Sequence, residues 1–331
     1  MTSVMNVIGG ISFFLLGMML MAEGLKAASG DALRNLMDRF TNRPISSIMT
    51  GTIVTNITQS STATSIMTIG FVNAGLMTFA QSIGIIFGAN LGSTSTAWLV
   101  AFLGVKFSIS QLALPMVALG VILMLFSATR LPYIGKAVAG FGVLFFGIQL
   151  LQHGMEDLNG YLNFAAFSGS DLFGRLILVI IGIVLTIIMQ SSTAAVATII
   201  TMLSIGSIGL EQAIALVIGA NIGTTATAVL AVIGASIQAK RTAAAHVMFN
   251  LITAFIVFWL FPVIIALIHA FNRFMGWHHP EAVVAVFHTF FSVLGILLLT
   301  PFIGQFARMI IKMLPDKNGK AAAVEEPLEE S

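Results

Sequence analysis

Gln59-Ser-Ser-Thr-Ala-Thr-Ser65 cuts through an apolar stretch running from about residue 44 to 73, and Gln190-Ser-Ser-Thr-Ala194 cuts through a second, from about 173 to 205. Each half is about a dozen residues, short of the roughly 20 that a helix needs to span a bilayer core. A hairpin that enters and leaves from one side fits such a segment better than one polar spanning helix. Seven longer apolar segments surround them, near 6–25, 80–103, 111–129, 134–154, 211–234, 242–270 and 280–313, separated by Gly, Pro and charge clusters.

Composition places these segments in lipid. Of 331 residues 57% are hydrophobic and 8% charged, where a soluble domain carries about a quarter charged. Long apolar runs also exclude the short alternating strands of an outer-membrane barrel, which leaves an α-helical bundle. The absence of cysteine excludes disulfides and thiolate metal sites. The histidines show no ligand spacing, and His278-His279 falls in a polar loop. Met1 to Gly10 has no basic region and no small-residue cleavage site, so the first apolar run reads as a retained helix. The pI near 9.1 reflects loop lysines and arginines. It is a topology signal and points to no nucleic-acid partner.

Positive-inside counting tests the hairpin reading. Seven crossings with an outside N-terminus put Lys26, Arg34, Arg39, Arg43, Arg130, Lys136, Lys240, Arg241, Arg308, Lys312, Lys317 and Lys320 inside. Only Lys106, Arg175 and Arg273 fall outside, and the 155–175 loop is acidic through Glu156, Asp157 and Asp171. Counting either hairpin as a crossing destroys the asymmetry.

The chain also repeats. Gln59–Ala97 aligns with Gln190–Ala228 at a constant offset of 131, without a gap. Gly88-Ala-Asn-Leu-Gly-Ser-Thr94 matches Gly219-Ala-Asn-Ile-Gly-Thr-Thr225, and Phe14-Leu-Leu-Gly17 echoes Leu144-Phe-Phe-Gly147. Each copy holds three crossings and a hairpin. Three is odd, so the second copy is inverted, as in secondary transporters. The expected fold is an all-α polytopic membrane protein: a first inverted repeat over 1–130, a second over 131–270, a C-terminal transmembrane helix over 271–314, and a disordered cytoplasmic tail over 315–331. The protein is expected to be multi-pass in the cell inner membrane with its C-terminus in the cytoplasm.

The hairpin tips suggest the chemistry. A half-helix begins after Gln59, so Ser60, Ser61 and Thr62 sit near a helix N-terminus, where free N–H groups and the dipole favour an anion. Their hydroxyls add donors and can also accept from a protonated oxyanion. Inversion brings Ser191, Ser192 and Thr193 from the other leaflet, and two tips meeting near the midplane would surround a small tetrahedral oxyanion without burying a cation. The competing explanation is that Ser and Thr only pack helices. In the Gly-Ala-Asn blocks, glycines let the backbone open, while Asn90, Asn221, Thr94, Thr224 and Thr225 offer the neutral oxygens a hard cation such as sodium takes. Small-residue packing is the alternative for Gly88 and Gly92. No Lys follows the last glycine, so these are not phosphate-loop motifs. His246-Val-Met-Phe-Asn250 and His288-Thr-Phe-Phe-Ser292 share a weak pattern in which Asn250 is a further sodium candidate, with a structural hydrogen bond as the rival role. Arg175 could attract anions, or serve as an interfacial lipid anchor. No carboxylate pair, metal cluster or activated nucleophile suggests an enzyme.

Together these residues resemble the type II sodium-dependent inorganic phosphate cotransporters, particularly the bacterial members. The resemblance rests on Gln59–Ser65, Gln190–Thr193, the two Gly-Ala-Asn blocks and Ala245-His-Val-Met-Phe-Asn250, and covers roughly residues 10 to 310. It implies phosphate as substrate, held by Gln59, Ser60, Ser61, Thr62, Gln190, Ser191, Ser192 and Thr193, with sodium ligands nearby. Sodium enters as a coupling ion, and no cofactor is expected. A homodimer is left open. Animal members have His-Asp-Phe-Phe-Asn in the first repeat; Pro115-Met-Val-Ala-Leu119 stands there in this chain, with no acid and no amide. The number of sodium ions is therefore open. Many bacterial members also carry a cytoplasmic helical domain resembling the phosphate-signalling PhoU protein; with Ser331 as its last residue, this sequence is expected to be a short form. The expected function is sodium-coupled phosphate symport by alternating access. The alternatives are phosphate export, transport of another oxyanion such as arsenate or sulfate, or a non-transporting regulatory role in phosphate signalling.

Overall fold

The computed structural model describes residues 2–29, 43–106, 110–126, 130–158, 167–276 and 279–316, and among these there are helices and turns but no strand. Arg34, Arg39, Lys317, Lys320 and His278, with most of the tail, lie outside the described residues. In chain order the helices are α1 (Thr2–Ser29), α2 (Pro44–Thr58), α3 (Ser61–Asn73), α4 (Phe79–Lys106), α5 (Ser110–Met124), α6 (Leu131–Leu158), α7 (Leu172–Met189), α8 (Ser192–Ser204), α9 (Leu210–Gly223), α10 (Thr225–Ala231), α11 (Ile237–Trp259), α12 (Phe261–Met275), α13 (Pro280–Leu299) and α14 (Ile303–Met313). Seven helical stretches among the described residues are long and apolar enough to cross a membrane.

Both interrupted segments are broken helices. The expected limits of 44–73 and 173–205 fall on α2–α3 and α7–α8. The expectation that each half is about a dozen residues fails for α7, a largely apolar helix of 18 residues that is long enough to span. Three uninterrupted segments also prove to be broken. The 211–234 segment breaks at Thr224, the 242–270 segment at Leu260 before Pro262, and the 280–313 segment in a 3-10 turn over Thr300–Phe302. Proline accounts for the last two, because it has no N–H to give the preceding turn.

Glycine sets how closely these helices approach. Gly10, Gly17 and Gly24 form a seven-residue ladder on α1; Gly140, Gly147 and Gly154 form its counterpart on α6. A Cβ on Gly17 would lie 2.2 Å from the amide nitrogen of Leu144, and one on Gly140 would lie 2.3 Å from that of Met21. The ladders run antiparallel, Gly10 meeting Gly147 while Gly17 meets Gly140. The contact is reciprocal under exchange of the two helices. Without water to drive association in lipid, such backbone contact is the main source of helix adhesion.

The same reciprocity marks α2–α4 and α7–α9. A Cβ on Gly51 would sit 2.2 Å from Ile85 O, and one on Gly182 would sit 2.1 Å from Leu216 O. A Cβ on Gly88 would sit 2.0 Å from Ile48 O, and one on Gly219 would sit 2.0 Å from Val179 O. Every pair is related by the offset of 131, so the sequence repeat is also a packing repeat.

Candidate functional site: two broken helices

Each break turns on a glutamine in the left-handed region. Gln59 has φ 50°, ψ 26° and Gln190 has φ 51°, ψ 22°. The next residue is extended and caps the following helix. Ser60 Oγ accepts from Ala63 N at 3.1 Å and Ser191 Oγ from Ala194 N at 3.2 Å. A serine bonding its own backbone in this way offers the chain an alternative to continuing α2 or α7, which is why the helix restarts there.

The caps leave a defined set of groups uncommitted. The amides of Ala63 and Thr64 are taken by Ser60, and those of Ala194 and Ala195 by Ser191. Among the described residues, the N–H groups of Ser61 and Thr62, and of Ser192 and Thr193, have no bond. The hydroxyls of these four residues are also unbonded among the described residues, whereas the nearby Thr64, Thr68 and Thr198 bond back to the carbonyl four residues earlier. Each tip therefore presents two amides and two hydroxyls at a positive helix end. Among the described residues no hydrogen bond joins one tip to the other.

The glutamines differ. Gln59 is buried, its Nε2 donating to Asn56 O and its Oε1 accepting from Thr96 Oγ1 at 2.9 Å. Gln190 is exposed and, among the described residues, its side chain has no hydrogen-bond partner.

The Gly-Ala-Asn blocks behave differently from the sequence expectation. The first stays inside continuous α4, so its glycines do not open the backbone; they seat α4 on α2. Only the second is interrupted, at Thr224. Thr94, Thr224 and Thr225 hydroxyls donate to carbonyls of the preceding turn, and Asn90 and Asn221 donate through Nδ2 to Ile86 O and Val217 O. Their oxygens keep acceptor capacity. Asn250 likewise donates to His246 O, leaving Oδ1 buried without a partner. It lies on α11, which packs on α3, α4, α9 and α13. These oxygens fit a hard monovalent cation, which takes neutral carbonyl and hydroxyl ligands.

Helix α13 ties the two blocks together, a connection the sequence pattern did not foretell. His288 Nε2 is 3.1 Å from Asn221 Oδ1, and Ser292 Oγ donates to Asn90 O at 3.3 Å. Since Asn221 Nδ2 is already donating, its Oδ1 accepts and His288 Nε2 carries the proton. One turn of α13 thus spans both asparagines, with Trp98 Nε1 bonded to Thr289 Oγ1 beside them at 2.8 Å. Arg175 is not a lipid anchor. It is 5% exposed, donates to the carbonyls of Gly169, Ser170 and Phe258, and lies 4.0 Å over the Phe261 ring.

Comparison with known proteins now bears on this arrangement. The family model described as Na+/Pi-cotransporter matches residues 13–153 and 172–300. The chain is 32% identical over 314 residues to the uncharacterized protein YqeW of Bacillus subtilis, covering 93% of this chain and 97% of that one. It is 27% identical over 324 residues to the putative inorganic phosphate export protein YjbB of Escherichia coli K12, covering 96% of this chain and 57% of that one. Over 119 residues it is 34% identical to the mouse sodium-dependent phosphate transport protein 2C, covering 34% of this chain and 20% of that one. No solved structure matches the chain. The family model takes in both broken helices and both Gly-Ala-Asn blocks, and the chain belongs to the Na+/Pi-cotransporter family.

Proposed function

We propose that the protein is a sodium-coupled symporter of inorganic phosphate that works by alternating access between two inverted repeats. In this reading α2–α3 and α7–α8 are re-entrant, entering from opposite leaflets, and their tips face one anion. Gln59, Ser60, Ser61, Thr62, Gln190, Ser191, Ser192 and Thr193 form its surroundings. The observation that carries the reading is the matched pair of uncommitted donor sets, four donors at each positive helix end. Neutral donors stabilise a phosphate without the deep well that a buried arginine or lysine would create, which favours release. The antiparallel, reciprocal contact of α1 with α6 supports the inversion.

Asn90, Thr94, Asn221, Thr224, Thr225 and Asn250 are the candidates for sodium. A gradient of that ion contributes to transport only if sodium binds the phosphate-loaded state more strongly than the empty one. Purified protein in proteoliposomes should accumulate radiolabelled phosphate when sodium is outside, and not with potassium or lithium. Uptake that is indifferent to the cation would refute the coupling. A second reading is export, favoured by the likeness along nearly the whole chain to a relative named for it. Reversing the sodium gradient across phosphate-loaded vesicles separates the two. A symporter should release phosphate down the reversed gradient, whereas a sodium-independent exporter should ignore it.

A further inference from the structure

Thr96 belongs to none of the motifs above, yet its hydroxyl reaches across 37 residues to Gln59 Oε1 at 2.9 Å, and it is 2% exposed. The amide end of the same side chain is held by Asn56 O, in the last turn of α2. Both polar ends of Gln59 are therefore engaged. The residue clamps the break between α2 and α3 to the middle of α4. Hydroxyls brace the same break, with Thr55 Oγ1 donating to Thr64 Oγ1 at 2.9 Å and Thr58 Oγ1 3.3 Å from that oxygen.

The second repeat has the same backbone turn without the clamp. At the offset of 131, Thr96 corresponds to Thr227, whose hydroxyl bonds Thr224 O at 2.9 Å within its own helical segment. Gln190 is left exposed. The bracing triad Thr55, Thr58 and Thr64 corresponds to Thr186, Met189 and Ala195, and the Thr186 hydroxyl has no partner. Two tips with one backbone geometry thus differ in how firmly they are held.

We propose that Thr96 is a positioning residue for the anion site. By fixing Gln59 it holds the amides and hydroxyls of Ser61 and Thr62 at a set spacing, so the first tip is the rigid wall of the site. The second tip, unclamped, is the part that yields as the anion enters and leaves. This rests on the phosphate-transport reading and assigns unequal roles to its two halves. It also moves Gln59 from direct phosphate ligand to brace.

The test is sodium-driven phosphate uptake by full-length protein in proteoliposomes, with KM and Vmax separated. T96V should raise KM about tenfold, the equivalent of one buried hydrogen bond, with Vmax little changed. Q59A should do the same, and the double variant should be no worse than either single. T96S, which keeps the hydroxyl, should restore KM to within about twofold, and T227V should stay within that margin of the parent. The proposal is overturned if T96V leaves KM unchanged, if the two losses multiply, or if T227V matches T96V. Should T96V fail to fold, Q59L and T96S make the same comparison from the other side of the bond. A parent protein that takes up no phosphate defeats the transport reading instead. The clamp is then judged by melting temperatures in detergent, where additive shifts for T96V and Q59A would overturn it.

Discussion

A left-handed backbone at a residue with a side chain costs about 1–2 kcal/mol, and glycine makes the same turn without that penalty. The two glutamines offset the cost differently. Gln59 recovers it through bonds to Asn56 and Thr96, but exposed Gln190 recovers nothing within the fold, the pattern expected of strain held at a working site. Q190G should therefore leave the melting temperature unchanged or raise it by a few degrees, the relief being about 1 kcal/mol less the extra chain entropy of glycine. Phosphate KM should rise at least about tenfold if the free carboxamide meets the anion. Q59G should instead lower the melting temperature, because it removes a brace. Thermal unfolding in detergent and vesicle uptake, run on both variants, separate strain from support. The glutamines, serines and threonines of the tips were legible in the sequence because they are neighbours and occur twice. Thr96 was not, because its partner lies in another helix and nothing in its own surroundings marks it.

Among the elements, the α11–α12 junction shows how a proline creates a need that a distant side chain meets. Pro262 has no N–H, so the carbonyl four residues earlier, Phe258 O, loses its helical donor. Arg175 Nη1 donates to it at 2.9 Å, from the first turn of α7. A buried carbonyl stripped of that bond costs roughly 1–3 kcal/mol, and losing the contact with Phe261 adds to it. R175M should lower stability by about 3 kcal/mol. In that background P262A should recover part of the loss, because alanine restores a donor for Phe258 O. Equal damage from R175M with proline or alanine at 262 would show that the arginine acts elsewhere. In the sequence, 242–270 reads as one uninterrupted helix and Arg175 as an interfacial residue, because the contact that links Arg175 to the break at Pro262 joins it to Phe258, 83 residues away, and exists only in the folded chain. The Gly-Ala-Asn blocks failed for a related reason. Glycine spacing serves backbone opening and close packing equally, and only the contacts of Gly88 and Gly219 with facing carbonyls decide for packing.

At the scale of the whole molecule, the repeat was legible because one offset aligns the motifs, and the structure extends it to glycine contacts outside them. Orientation in the bilayer is a different matter, and α7 makes it sharper, since a largely apolar helix of 18 residues could cross unaided. If α2–α3 is re-entrant, both of its ends lie on one side of the membrane; if α7–α8 is its inverted counterpart, both of its ends lie on the other. The chain contains no cysteine, so single substitutions report cleanly. Ser46→Cys and Ala74→Cys flank the first hairpin; Ser170→Cys and Ser207→Cys flank the second. In sealed vesicles of known orientation, a membrane-impermeant maleimide should label the first pair from the cytoplasmic face only and the second pair from the opposite face only. A split within the second pair would make α7 a true crossing and give eight spans in place of seven. It would reverse every later segment and put Lys240, Arg241, Arg308 and Lys312 outside, against the bias that basic residues show for the cytoplasm. That distribution of charge is the physical reason to expect the paired result.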